Sequence, residues 1–195
     1  MVYSIISIRK SKIMKIRMPK VRTSLDIASW LLSRGQSAGI EITHRKLQYL
    51  MYLVYGNYFI EEFNCKLFPS IFVLSKIGPL EPNIFQLFNK INIEKIGNSI
   101  PVNIESYLLN FWKKYEINDV DSLEKIIINN EVWKEILLQP IGSEISENLI
   151  IKSFVNNLNV KKNDYSNILM DDKEYWTLSG KKAERWIPGL SKKNK

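Results

Sequence analysis

A chain of 195 residues with 45% apolar and 11% aromatic side chains can bury one substantial core and is not of disordered composition. Its formal charge of +8 is unevenly spread: residues 1–22 carry +7 and residues 179–195 carry +5, which leaves −4 on residues 23–178. A dedicated nucleic-acid binder concentrates basic side chains on the folded face that meets phosphate, so charge held at the two ends counts against that class.

No apolar run approaches the ~18–20 residues that span a bilayer, and a soluble, cytoplasmic protein is expected. Cys65 is the only cysteine and His44 the only histidine. An intramolecular disulfide is excluded, and the zinc sites that Cys and His build lack ligands. A buried loop thiol and an imidazole at a helix start are favoured over a Cys–His catalytic pair. The sequence calls for no metal, cofactor or catalytic residue, and an enzyme is not expected.

Taken in order, residues 1–22 form a basic extension expected to be flexible, in which Val2–Ile8 has the composition of a short strand. The apolar-then-basic order is the reverse of a secretory leader. Thr23 and Ser24 open a first helix with Leu25, Ala28, Leu31 and Leu32 on its buried stripe, and Gly35 stands where a left-handed C′ residue is expected. The central helix comes next, from Thr43 to Phe59. Leu47, Leu50, Met51, Val54, Tyr55 and Tyr58 recur at helical spacing, and Thr43 occupies the N-cap position. Tyr49, Tyr52 and Leu53 extend its apolar surface around much of the circumference, which marks it as the core of the fold.

Pro69–Ser75 is β-branched and aromatic and reads as a strand, with Ile77–Pro82 as a rigid Gly–Pro corner behind it. Pro82 can start a helix carrying Ile84, Leu87, Phe88 and Ile91. Pro101 leads into another with Ile104, Tyr107, Leu108, Phe111, Trp112 and Tyr115 on one face, and Asp121 or Ser122 caps one using Leu123, Ile126 and Ile127, with Trp133 beyond. Ser146 caps a helix with Ile150, Ile151, Phe154, Val155 and Leu158, and a final short helix can open at Tyr175–Lys182. The expected fold is α+β and predominantly helical: one compact domain over residues 23–160, five to seven helices and one or more short strands, with residues 161–195 as a C-terminal extension ending in a basic tail.

Three of these stretches, taken together, resemble the Panacea (SocA-like) antitoxin domain: the helix from Thr43 through Lys46-Leu47-Gln48-Tyr49-Leu50-Met51-Tyr52, then Leu67-Phe68, then Ser75 through Ile77-Gly78-Pro79-Leu80-Glu81-Pro82. The resemblance extends from about Ser24 to Phe154 and is weaker in its later part, where Ser122-Leu123-Glu124, Trp133 and Ile145-Ser146 carry it. Tyr49, Ile77 and Val132 depart from the family pattern, which commonly has Lys, an aromatic residue and Pro there.

The resemblance implies an antitoxin that neutralises a cognate protein toxin by direct binding, encoded beside it on a bacterial or prophage element. It also implies a second route, in which the antitoxin is an adaptor that brings its toxin to an ATP-dependent protease. The alternative from charge is a nucleic-acid-binding regulator or phage-derived accessory protein that uses its basic termini. Lys46, Gln48, Tyr49, Tyr52, Lys76, Gly78, Pro79, Glu81 and Pro82 are the candidate partner-binding residues. Each also has a structural reading: Lys46 as a solvated charge, tyrosines in the core with a wet hydroxyl, Gln48 capping or bridging loops, and the Gly–Pro residues holding a corner.

Overall fold

The computed structural model describes residues 18–62, 65–93 and 100–157. These residues form a mostly helical α+β domain with seven helices and a three-stranded antiparallel sheet. The expected strand at Val2–Ile8, residues 1–17 of the basic N-terminal extension, the helix near Tyr175–Lys182, Leu158 and the basic C-terminal tail lie outside the described residues. Val21, counted above with the extension, is buried and its N–H donates to the Leu67 carbonyl at 2.9 Å. The folded unit therefore takes in residues just ahead of Thr23.

Helix α1 covers Ser24–Ser37, and Thr23 closes a capping box with Asp26 at its start. Its end differs from expectation. The helix runs through Gly35 to an Ala38 cap, and Gly39, at φ +68°, takes the left-handed position instead. Gly35 serves close packing: a Cβ there would lie 2.6 Å from Ile42 Cδ1 and 2.9 Å from the Ile40 carbonyl oxygen.

Helix α2, His44–Glu61, is capped by Thr43, whose hydroxyl accepts from Lys46 N–H at 3.3 Å. Every residue from Lys46 to Ile60 on it is buried. A helix enclosed on all sides is held by its neighbours more than by its own propensity, and α1, α3, α4, α5 and α7 all pack on it. The Tyr52 ring meets Phe72 edge-on at 5.3 Å and Trp133 at 5.8 Å, while Tyr55 meets Phe68 and Phe72 at 5.2 and 5.3 Å.

Strand β1, Phe72–Ser75, pairs antiparallel with β2, Gly78–Leu80, across the Lys76–Ile77 turn. The Gly–Pro segment is thus a strand as well as a corner. Pro79 lacks an N–H to donate, and β2 lies at the sheet edge where none is required. The other edge is β3, Glu144–Ile145, which pairs with Phe72 and Val73. Two residues carry no sequence signal for a strand; β3 exists because β1 offers it an open edge.

Helix α3, Pro82–Leu87, is shorter than its apolar spacing suggested. Helix α4, Val102–Tyr115, buries Ile104, Leu108, Phe111, Trp112 and Tyr115, while Tyr107, expected on the same stripe, is half-buried with its hydroxyl donating to the Val54 carbonyl at 3.2 Å. The next segment is two helices where one was expected. Helix α5, Val120–Ile128, is capped by Asp119, which accepts from Ser122 N–H at 2.7 Å and displaces Asp121 and Ser122 from that role. Helix α6, Glu131–Leu137, is capped by Asn130 and carries Trp133 into the core. Helix α7, Glu147–Asn157, starts behind Ser146, whose hydroxyl accepts from Leu149 N–H at 3.4 Å.

Candidate partner-binding site

The segments that carry the family resemblance meet around the N-terminal half of α2. Gln48 is wholly buried, and its Oε1 accepts from the Glu81 backbone N–H at 2.7 Å. Glu81 is buried to the same degree and caps α3, its Oε2 accepting from Ile84 N–H at 2.6 Å. Its Oε1 accepts from Ser70 Oγ at 2.8 Å, Asn83 Nδ2 at 3.1 Å and Ser24 Oγ at 3.3 Å. One carboxylate thus ties together α1, the entry to β1 and α3, and Gln48 ties them to α2. Buried acids are tolerated where donors saturate their oxygens, and here four converge on one group.

Tyr49 forms a second junction. Its hydroxyl lies 2.7 Å from the Ile77 carbonyl oxygen and 3.1 Å from Glu124 Oε1, and it accepts from Arg45 Nε at 3.0 Å. Arg45 also pairs with Glu124 at 2.7 Å at a half-exposed position. Burial raises the Tyr49 hydroxyl above its ordinary pKa, and the hydrogen bond to Tyr49 holds the Arg45 guanidinium more firmly protonated. The Tyr49 ring leaves no room beside Gly78, where a Cβ would lie 3.0 Å from Cε1 and φ is +98°. A side chain at Gly78 is strained on both counts.

Lys46, 7% exposed, reaches from α2 to the Glu116 carbonyl at the end of α4, where the helix dipole favours a cation. Burial lowers its pKa, and Asp119 opposes that shift. Tyr52 donates to Ser153 Oγ at 3.3 Å, because the Ser153 hydroxyl proton goes to the Ile150 carbonyl at 2.7 Å.

The structure joins Gln48 to Glu81 and Tyr49 to the Ile77–Gly78 turn, whereas Lys46 reaches to the end of α4 and Tyr52 to Ser153 on α7, and it encloses most of the nine candidates. Lys46, Gln48, Tyr49, Tyr52, Pro79 and Glu81 are buried, Gly78 and Pro82 are half-buried, and Lys76 is exposed in the β1–β2 turn. In this conformation Gln48 and Glu81 offer no surface to a second molecule; they set the position of what surrounds them. The surface they support includes Arg45, Glu124, Lys76 and Phe85, of which Phe85 is 46% exposed and lies tilted against His44 at 4.8 Å. Sequence reasoning missed Arg45, Glu124 and Phe85. Arg45 and Glu124 are 79 positions apart, and nothing in either local pattern announces the pair. Trp112 and Trp133 are both core residues, each 1% exposed.

Removing the Tyr49 hydroxyl is expected to have a clear cost. Tyr49→Phe strands the Ile77 carbonyl and separates Arg45 and Glu124 from the β1–β2 turn, a loss of about 1–2 kcal/mol. The half-exposed Arg45–Glu124 pair by itself is worth under ~1 kcal/mol, so Arg45→Met is expected to cost less than Tyr49→Phe. Urea denaturation midpoints of the two variants test that order.

His44 and Cys65 stand at opposite ends of α2, whose 18 residues extend ~27 Å at 1.5 Å per residue. They cannot act on one substrate atom. Cys65 is buried, with Sγ 3.8 Å from the Met18 and Lys66 carbonyl oxygens. Among the described residues no three His, Cys, Asp or Glu side chains are grouped to hold a metal ion, and no helix is long and apolar enough to cross a membrane.

A cavity of about 450 Å³ opens beside α2, lined by Leu53, Asn57, Tyr115, Asn118, Ile127 and Phe154 among others. Its floor is satisfied from within. Asn57 Nδ2 donates to the Leu53 carbonyl and to Tyr115 Oη, Tyr52 is paired with Ser153, and Asn130 is occupied by Trp133 N–H and the Ile127 carbonyl.

Fold and site together define a helical α+β protein built on one enclosed helix, with a buried carboxylate and a buried carboxamide joining its sheet to its helices. No family model, no curated protein and no solved structure matches the chain.

Proposed function

We propose that this is an antitoxin-like protein of the cytoplasm that neutralises a cognate protein toxin by direct binding, with delivery of the toxin to an ATP-dependent protease as a further route. The proposal rests on the Panacea-like motif, whose separated segments dock as one unit: Glu81 N–H on Gln48 at 2.7 Å and the Tyr49 hydroxyl on Ile77 at 2.7 Å. Motif residues that meet in one buried network are what a shared scaffold requires, whichever partner it carries.

The contact face in this reading is the surface over that network, with Phe85 as an apolar anchor and Arg45, Glu124 and Lys76 as polar contacts. Aromatic and Arg side chains are the usual centres of such interfaces. The test is to express the neighbouring gene alone and then with this one, scoring growth and co-purification. Arrest that is relieved, with a complex recovered, supports binding; relief with loss of the partner only when the protease is present supports delivery. Lys76→Glu combined with Phe85→Ser is expected to weaken the complex at least tenfold without unfolding the protein. The absence of both arrest and complex would overturn the proposal.

A further inference from the structure

His44 stands at the first turn of α2 against two phenyl rings of the α3 segment, stacked on Phe88 at 4.7 Å and 18° and tilted against Phe85 at 4.8 Å and 32°. Its Nε2 lies 3.4 Å from Gln48 Nε2. Which of these nitrogens donates is decided elsewhere in the network. Gln48 Oε1 is committed to the Glu81 backbone N–H at 2.7 Å, so the Gln48 amide cannot turn over without orphaning a buried donor. Gln48 Nε2 carries only hydrogens and must give one. His44 Nε2 must therefore accept, which places the imidazole proton on Nδ1 and leaves the ring neutral.

We infer that His44 is a latch between α2 and α3 that closes only as the neutral Nδ1–H tautomer, and that protonation opens it. A proton on Nε2 would point at the Gln48 NH₂ group, donor against donor. The conflict is relieved by turning Gln48, which strands the Glu81 N–H, or by withdrawing the ring from Phe85 and Phe88. Either change loosens α3 where it meets α2.

The charged groups nearby are engaged elsewhere. From the α3 side, the Glu81 carboxylate is taken up by Ser24, Ser70, Asn83 and the Ile84 N–H. On α2 itself, Arg45 turns to Tyr49 and Glu124, and Lys46 to the Glu116 carbonyl. Among the described residues no carboxylate forms an ion pair with the imidazole, and burial moves its pKa below 6.5. Attraction of an imidazolium to the two phenyl faces acts in the opposite sense. With the folded pKa lowered, the unfolded chain takes up its proton first as pH falls. The latch therefore contributes in full above about 6.5 and is lost as pH drops through the folded value.

The experiment uses the full-length chain labelled with ¹⁵N, in which His44 is the only imidazole. Long-range ¹H–¹⁵N spectra at pH 7.5 are expected to show Nδ1 protonated and Nε2 bare, with a titration midpoint below 6.5. Through that midpoint the amides of Ile84–Phe88 are expected to lose at least tenfold in hydrogen-exchange protection, corrected for intrinsic rate, while those of α4 hold. His44→Phe keeps a ring in the stack and cannot titrate, and its α3 protection should stay level from pH 7.5 to 5. An Nε2–H tautomer, a midpoint above 6.5, or α3 protection unchanged through the midpoint would overturn the latch. So would a His44→Phe protein with the wild-type pH response. If that variant does not fold, the wild-type titration decides alone.

Discussion

Glu81→Ala is expected to destabilise the domain by about 3–5 kcal/mol, among the largest effects of any single substitution outside the apolar core. Asn83 Nδ2, Ser24 Oγ and the Ile84 N–H lose this acceptor at once, around a carboxylate that is wholly buried, and Ser70 Oγ is left with only the Ile71 carbonyl at 3.1 Å. Glu81→Gln separates charge from shape. The carboxamide fits the volume and its NH₂ group can donate to the Ser70 or Ser24 hydroxyl oxygen, but the charge-assisted bonds are lost, so a smaller loss of about 1–2 kcal/mol remains. Equilibrium urea unfolding of both variants measures this. A Glu81→Gln protein as stable as wild type would mean that the four donors find acceptors elsewhere and that the carboxylate does not organise the junction.

Gly56→Ala is expected to cost about 3 kcal/mol, although alanine is intrinsically the better helix former by about 1 kcal/mol. Gly56 lies in the middle of α2 where α7 crosses it. A Cβ built there falls 2.0 Å from Phe154 Cε2 and 2.3 Å from Cδ2. The Phe154 ring is itself buried and packed 5.5 Å from Tyr52; it borders the cavity beside α2, but to use that space it must give up its present packing. A smaller side chain at 154 should relieve the clash. Thermal unfolding of Gly56→Ala, Phe154→Leu and the double variant should give a favourable coupling of about 1–2 kcal/mol. Simple additivity would place the cost of Gly56→Ala outside the α2–α7 contact.

These two residues mark different limits of what can be read from the chain. Glu81 was legible as a member of the Gly–Pro motif but not as its buried centre, since the donors around it come from positions 24, 70, 83 and 84. Gly56 carries no local signal at all. A glycine inside a helical pattern looks like a mild defect until the ring of Phe154, 98 positions later, is laid across it. The same holds for Gly35, which local rules assign to a helix end and packing against Ile42 assigns to a helix interior.

Periodicity and capping chemistry determined the helical elements, because both act within a few residues. Thr23, Thr43 and Ser146 cap helices where the local pattern places them, and the stripes on α4 and α7 are buried as spaced apart from the half-buried Tyr107 and from Leu158, which lies outside the described residues. The strand at Glu144–Ile145 was decided by tertiary structure, because it depends on a sheet edge that only β1, far back along the chain, provides. The break between α5 and α6 and the strand character of Gly78–Leu80 have partners close by, Trp133 N–H on Asn130 and β1 across a two-residue turn, but neighbouring caps and turns compete there and the local pattern did not choose among them. The motif around α2 also singled out Gln48, Tyr49 and the Ile77–Pro82 segment, which hydrogen bonds join in the fold. Which of those side chains face solvent and which are sealed inside was settled only by packing, because a helix surrounded on every side erases the distinction between a polar face and a buried one.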